Sequence, residues 1–218
     1  MVVDESILSR NLGQVYGHEA ARLLIERSIS AGRATTYLLV GPRGVGKSLV
    51  ARAMAASLHN EAVSDKAHVD TMLFDDVLAA ESGADGKKWK AAVDSFVRFI
   101  NLSPVSSSVK AGVISGIDRL SPEATNALLK TLEEPPAHTV LILTAEDIGH
   151  VLPTIVSRSQ VVRLNNLSDV AIAEYLQRMG AEPSDELVAL ADGAVGRAQI
   201  LASDMKAREK TGTWLGVF

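Results

Sequence analysis

Tyr37-Leu38-Leu39-Val40-Gly41-Pro42-Arg43-Gly44-Val45-Gly46-Lys47-Ser48-Leu49-Val50 decides how this chain is read. A short apolar run of strand character enters a turn with three glycines, and the turn enters a helical stretch from Leu49 to His59. Gly41, Gly44 and Gly46 allow backbone conformations that a Cβ forbids, so several N–H groups can converge on one anion. Lys47 adds a positive charge. The helix that starts near it offers the positive end of its macrodipole and its unpaired amides, and Ser48 offers a hydroxyl able to ligate Mg²⁺. The spacing is GxxxxGK[ST], in the strand–turn–helix context that gives the pattern its meaning. Gly41, Pro42, Arg43, Gly44, Val45, Gly46, Lys47, Ser48 and Leu49 are therefore expected to cradle the phosphates of a nucleotide. Binding does not by itself imply hydrolysis.

Working outward, Ala21, Leu24, Ile25 and Ile29 recur at helical spacing within 18–30, and Gly32 follows as a helix stop. After the cradle helix come an apolar run over 69–74, a polar loop over 81–88, and a helix whose face carries Trp89, Val93, Phe96, Val97 and Ile100 and which ends at Ser103-Pro104. Lys110 to Ile117 reads as a strand. Ser121-Pro122-Glu123 opens the next helix with an N-cap, a proline at the first position and a carboxylate in the first turn. Val140 to Leu143 and Gln160 to Leu164 are further strands. Strands alternating with helices after a phosphate loop predict an α/β fold with a parallel sheet covered on both sides, spanning 1–165. From Ser168 only helical signals remain, so 166–218 is expected to be a small all-α domain, hinged at Asn165-Asn166.

The 218 residues are 47% apolar and 22% charged, which describes a packed globular protein with room for one sizeable core. A net charge of −4 gives no global attraction for nucleic acid, and nine aromatics form no evident stacking platform. There is no cysteine, hence no disulfide and no cysteine-ligated zinc. His18, His59, His68, His138 and His150 show no paired ligand spacing, and no zinc site is expected. The N-terminus is too polar for a signal peptide, and no apolar run approaches the ~18 residues of a membrane span. A cytoplasmic protein follows.

A phosphate-loop hydrolase needs an acid at the end of a neighbouring strand for Mg²⁺, commonly followed by a glutamate that polarises water. In Val113-Ile114-Ser115-Gly116-Ile117-Asp118-Arg119, Asp118 fits the metal-side acid, or else a turn-capping carboxylate. Arg119 stands in the glutamate's place, and a cation there cannot act as a general base. The hydrolytic machinery reads as incomplete.

Residues 112–147 followed by Thr154-Ile155-Val156-Ser157-Arg158-Ser159-Gln160 closely resemble the clamp-loader branch of the AAA+ ATPases, and the likeness runs from about Leu12 to Ala202. Asn126-Ala127-Leu128-Leu129-Lys130-Thr131-Leu132-Glu133-Glu134-Pro135-Pro136 is its most diagnostic piece. The resemblance implies ATP and Mg²⁺ as cofactors, with Ser48 and Asp118 on the metal. It implies Arg158 as an arginine finger supplied in trans, Thr144 as the polar sensor at a strand end, and Tyr16 and Gly17 in the segment beside the adenine. Gly196 occupies the place where ATPase members usually carry a sensor arginine, with Arg197 one step away. The cysteine zinc module and the C-terminal collar usual in the family are missing from this sequence.

A finger arginine without a water-activating glutamate resembles the delta-prime-type subunit of the DNA polymerase III clamp loader, with weak or no hydrolysis of its own. The partners implied are the gamma/tau and delta subunits, the sliding clamp and, through the assembly, primer-template DNA. An active gamma/tau-like ATPase and a free-standing nucleotide-dependent binding module remain the alternatives.

Overall fold

Alternation of side chains along the strands fixes which helices cover which face of the sheet. The computed structural model describes residues 3–32, 34–64, 66–74 and 86–211. Its sheet contains β1 (Thr36–Val40), β2 (Thr71–Phe74), β3 (Lys110–Ile114), β4 (Thr139–Ala145) and β5 (Gln160–Arg163), all parallel, in the order β2-β3-β4-β1-β5. Every residue of β1, β3 and β4 is buried, as expected of strands covered on both faces. Tyr37 and Leu39 point into one apolar layer, with Ala111, Val113, Val140 and Ile142. Leu38 and Val40 point into the other, with Ile114, Leu141 and Leu143.

Three helices supply the first layer: α1 (Glu5–Gly13), α2 (Glu19–Ser30) and α3 (Lys47–Leu58), through Leu8, Leu12, Ile25, Ile29 and Met54. The second layer comes from α4 (Gly86–Asn101), α5 (Pro122–Glu133) and α6 (Pro153–Arg158), through Phe96, Ile100, Leu128, Leu132 and Ile155. Ser121 caps α5 as expected, its hydroxyl accepting the Ala124 N–H at 3.2 Å. Helix α1 was not foreseen, although Asp4 is its N-cap and accepts the N–H groups of Ser6 and Ile7. Gly86, Lys87 and Lys88, expected in a loop, already belong to α4. Residues 81–85, the Trp89 side chain and residues 212–218 lie outside the described residues.

Strand β3 ends at Ile114, three residues earlier than expected. Gly116 takes φ 70° there, and a 3-10 turn, Ile117–Arg119, carries the chain away from the sheet. Beyond β5 follow α7 (Asp169–Arg178), α8 (Asp185–Ala191) and α9 (Val195–Thr211), with Ser168 and Ser184 as the expected N-caps of α7 and α8. These helices have their own apolar cluster around Ile172, Leu176, Leu187, Ala191 and Ala198.

Opposite the strands' C-terminal ends, Asp70 ties the α4–β3 connection to the start of β2. Its carboxylate accepts the N–H groups of Val105, Ser106 and Ser107 at 2.7 to 2.9 Å, and Lys110 Nζ lies 3.5 Å away over the Phe99 ring. Burial alone would raise this carboxyl's pKa. The three backbone donors and Lys110 outweigh that and hold it well below the usual carboxylate range. Both partners are buried, so Asp70→Ala strands a lysine charge and three amides. Its expected cost is about 3–5 kcal/mol of unfolding free energy, measured by urea denaturation, because one partner of a buried pair is removed.

Candidate functional site

The glycine turn between β1 and α3 is wedged between two strands. Gly41 N–H donates to Ala145 O at 3.1 Å, and Leu164 N–H donates to Val40 O at 2.8 Å. A Cβ on Gly41 would collide with the Leu164 carbonyl oxygen, so only glycine passes there. Gly44 and Gly46 take φ 80° and 110°. Val45 is fully buried, and its carbonyl accepts from His18 Nε2 at 3.0 Å, which fixes the turn to the start of α2. Lys47 curls back, donating to Gly41 O at 2.6 Å and Pro42 O at 2.8 Å.

A cleft of about 380 Å³ opens above this turn, at the carboxyl ends of β1, β3 and β4. That is where an open parallel sheet offers a crevice, beside the strand at which the order reverses. Of the expected site residues, Tyr16, Arg43, Gly44, Gly46, Lys47, Ser48, Leu49 and Thr144 line it. Gly41, Pro42 and Val45 shape the loop from behind, and Gly17 lines an adjoining cavity between α2 and α7. Tyr16 meets Tyr175 at 5.5 Å between ring centroids, and its hydroxyl donates to Glu174 at 2.7 Å.

The wall formed by the end of β3 differs from expectation. Ser115 and Gly116 line the cleft, and Asp118 does not. Asp118 Oδ2 accepts the N–H groups of Glu146 and Asp147 at 2.8 and 3.1 Å, and its Oδ1 is buried with no hydrogen-bond partner among the described residues. The carboxylate therefore braces the turn after β4. Asp118 does not line the cleft directly: β3 stops at Ile114 and the Gly116 turn sets the acid behind the wall, from where its charge acts on Lys47. The interrupting Gly116 was the readable signal. Thr144 Oγ1 accepts the Gly116 N–H at 3.0 Å, which joins the ends of β3 and β4.

Arg119 does reach the cleft, where it pairs with Glu146 at 3.6 Å. Glu146, two residues beyond Thr144, was missed by sequence reasoning. Burial lowers the pKa of Lys47, opposed by Glu146 and Asp118 and reinforced by Arg119, so these charges lie within one another's reach.

Helix α9 closes the cleft's far side. Gly196 N–H donates to Gly44 O at 2.8 Å, and a Cβ at Gly196 would stand 3.1 Å from that oxygen. Glycine here lets the helix start sit directly on the phosphate turn. Arg197 faces away, paired with Asp192 at 3.7 Å, and does not line the cleft. Arg158, at the end of α6, is also outside this cleft. It is half-exposed, 3.7 Å from Glu133 and donating to Thr154 O at 3.1 Å.

A parallel sheet of this strand order, with a glycine turn feeding α3 and helices on both faces, is the AAA+ P-loop fold. A RuvB variant of Thermotoga maritima superposes with a TM-score of 0.62 at 16% identity, over 94% of this chain and 67% of that one. The family model described as "DNA polymerase III, delta subunit" matches residues 17–168. The DNA polymerase III subunit gamma of Buchnera aphidicola from Acyrthosiphon pisum is 32% identical over 75% of this chain and 47% of its own length. The subunit delta' of Pseudomonas aeruginosa is 31% identical over 78% of this chain and 56% of its own. The chain belongs to the DNA polymerase III clamp-loader family of AAA+ proteins. It spans about half the length of these gamma and delta' relatives and about a quarter of the tau subunits it also matches. No described helix is long and apolar enough to cross a membrane.

Gly41→Ala is expected to cost at least ~2 kcal/mol of stability, because a backbone carbonyl rather than a flexible side chain must move. Gly13→Ala, where nothing lies within 4 Å of the added carbon, is the control and changes stability little. Paired urea melts check the contrast.

Proposed function

We propose that this chain is a delta-prime-like clamp-loader subunit: it holds ATP in the cleft over Lys47, hydrolyses it weakly or not at all, and presents Arg158 to nucleotide bound by a neighbour. One observation carries the reading. Among the described residues, the positions at the end of β3 that line the cleft are Ser115 and Gly116, with the cation Arg119 beyond them, so the end of β3 places no carboxylate to activate water.

The turn's free amides and the α3 N-terminus would hold the phosphates, Lys47 would leave its carbonyls for them, and Tyr16 would lie near the base. Mg²⁺ would supply charge neutralisation in a site of this kind. Ser48 would offer it a hydroxyl, Asp118 keeps Oδ1 without a hydrogen-bond partner among the described residues and acts on Lys47, and Glu146 is paired with Arg119. Residues 166–218 would act as a lid on the 1–165 domain, with α9 touching the turn that binds the phosphates.

Arg158 supports the second half of the proposal. It lies outside its own chain's cleft, and Glu133 and Thr154 O orient its guanidinium at the end of α6. A guanidinium so placed can stabilise charge on a phosphoryl group of another subunit. The gamma/tau and delta subunits, the sliding clamp and primer-template DNA are the proposed partners. An active gamma/tau-like ATPase is the second reading, favoured by the complete phosphate turn and by a carboxylate, Glu146, within the cleft.

In a clamp loader reconstituted from this chain and the gamma/tau and delta subunits of the same source, Arg158→Ala should lower ATP hydrolysis severalfold while leaving ATP binding by the chain itself unchanged. Unchanged hydrolysis in a fully assembled complex would refute the finger role.

A further inference from the structure

His18 stands at the start of α2 but does not cap it, since its side chain makes no hydrogen bond to its own helix. Its ring Nε2 instead donates to the Val45 carbonyl at 3.0 Å, in the middle of the phosphate turn. An unusual backbone puts it there. Gly17 has φ 67° and His18 φ 58°, a left-handed conformation that glycine takes freely and a residue with a Cβ seldom does. Arg22 fastens both ends of this corner, its N–H donating to His18 O at 2.9 Å and its Nη1 to Val15 O at 3.3 Å. The His18 bond fixes the plane of one peptide. In a trans peptide the C=O and the following N–H point opposite ways, so a Val45 carbonyl held toward α2 sends the Gly46 N–H to the other side. That side is the cleft, which Gly46 lines and Val45 and His18 do not. The Gly46 N–H makes no backbone hydrogen bond among the described residues. Left unrestrained, this peptide can turn over, because glycine at 46 tolerates either sign of φ. A carbonyl turned into the cleft would then oppose an anion that the N–H attracts.

We propose that His18 is a positioning residue for the phosphate turn, locking the Val45–Gly46 peptide so that the Gly46 N–H is presented to the nucleotide's phosphates. This role rests on the nucleotide-binding reading of the cleft. It joins two parts of the site, because Tyr16 and Gly17, expected beside the base, lead directly into the residue that sets the turn. The acceptor is a carbonyl, so the role needs an N–H donor at the place of Nε2 and nothing else particular to imidazole.

The test is calorimetric titration of the purified chain with ATP and Mg²⁺, for the wild type, His18→Gly, His18→Asn and His18→Gln. Thermal unfolding without nucleotide first confirms that the variants are folded. Glycine and asparagine suit the left-handed backbone but bring no donor as far as Val45. His18→Gly and His18→Asn should therefore melt close to the wild type yet bind ATP about five- to tenfold more weakly, the size of a lost hydrogen bond. Glutamine carries an amide N–H that can take the place of Nε2, and His18→Gln should restore the affinity to within about twofold. His18→Gly and His18→Asn binding as the wild type does, or His18→Gln binding no better than they do, would overturn the positioning role while leaving nucleotide binding intact. A wild type that binds no ATP would remove the nucleotide reading itself, and this inference with it.

Discussion

The passage of Gly41 between two strand ends is the constraint on which the rest depends. Its N–H is held by Ala145 at the end of β4, while the space a side chain would need is filled by the Leu164 carbonyl after β5. The turn can therefore begin only where β4, β1 and β5 are already in register, and the cleft forms where their ends meet. Val45 extends the same constraint inward, because its side chain is core and its carbonyl holds His18. The phosphate turn is thus part of the packed sheet.

Charge distribution gives the site its particular character. Asp118, the acid whose position suggested metal chemistry, braces the turn after β4 through Oδ2. Its neighbour Arg119 takes the exposed position. One residue's commitment to backbone donors thereby sets another residue's access to the cleft. On the opposite side, a glycine at 196 brings a backbone N–H, where a longer residue would bring a side chain, onto Gly44. Arg119 thus sets a cation, and Gly196 a backbone donor, at the edges of the cleft.

Much of this was legible in the sequence because it is local. The GxxxxGK[ST] turn, the proline-led N-terminus of α5, the serine caps of α7 and α8, and the buried run of β4 each follow from short-range chemistry, and each lies where expected. What failed depended on where the chain turns relative to other elements. Ile117, apolar beyond Ser115 and Gly116, disguised the end of β3 at Ile114, and that error of three residues read Asp118 as standing at the strand's end. Glu146 gave no local signal, since its importance comes from the parallel register that sets the ends of β3 and β4 side by side. Helix α1 was missed because the N-terminal stretch was weighed only for its polarity, as too polar for a signal peptide, and not for the Asp4 cap it carries.

The central claim is that the cleft holds ATP without turning it over. Its most direct test follows nucleotide binding and phosphate release by the isolated chain in one titration with ATP and Mg²⁺, beside Lys47→Ala. The account predicts saturable binding that Lys47→Ala abolishes, with phosphate release no faster than in that variant. Sustained release by the wild type, lost in Lys47→Ala, would contradict it and make this chain a motor subunit.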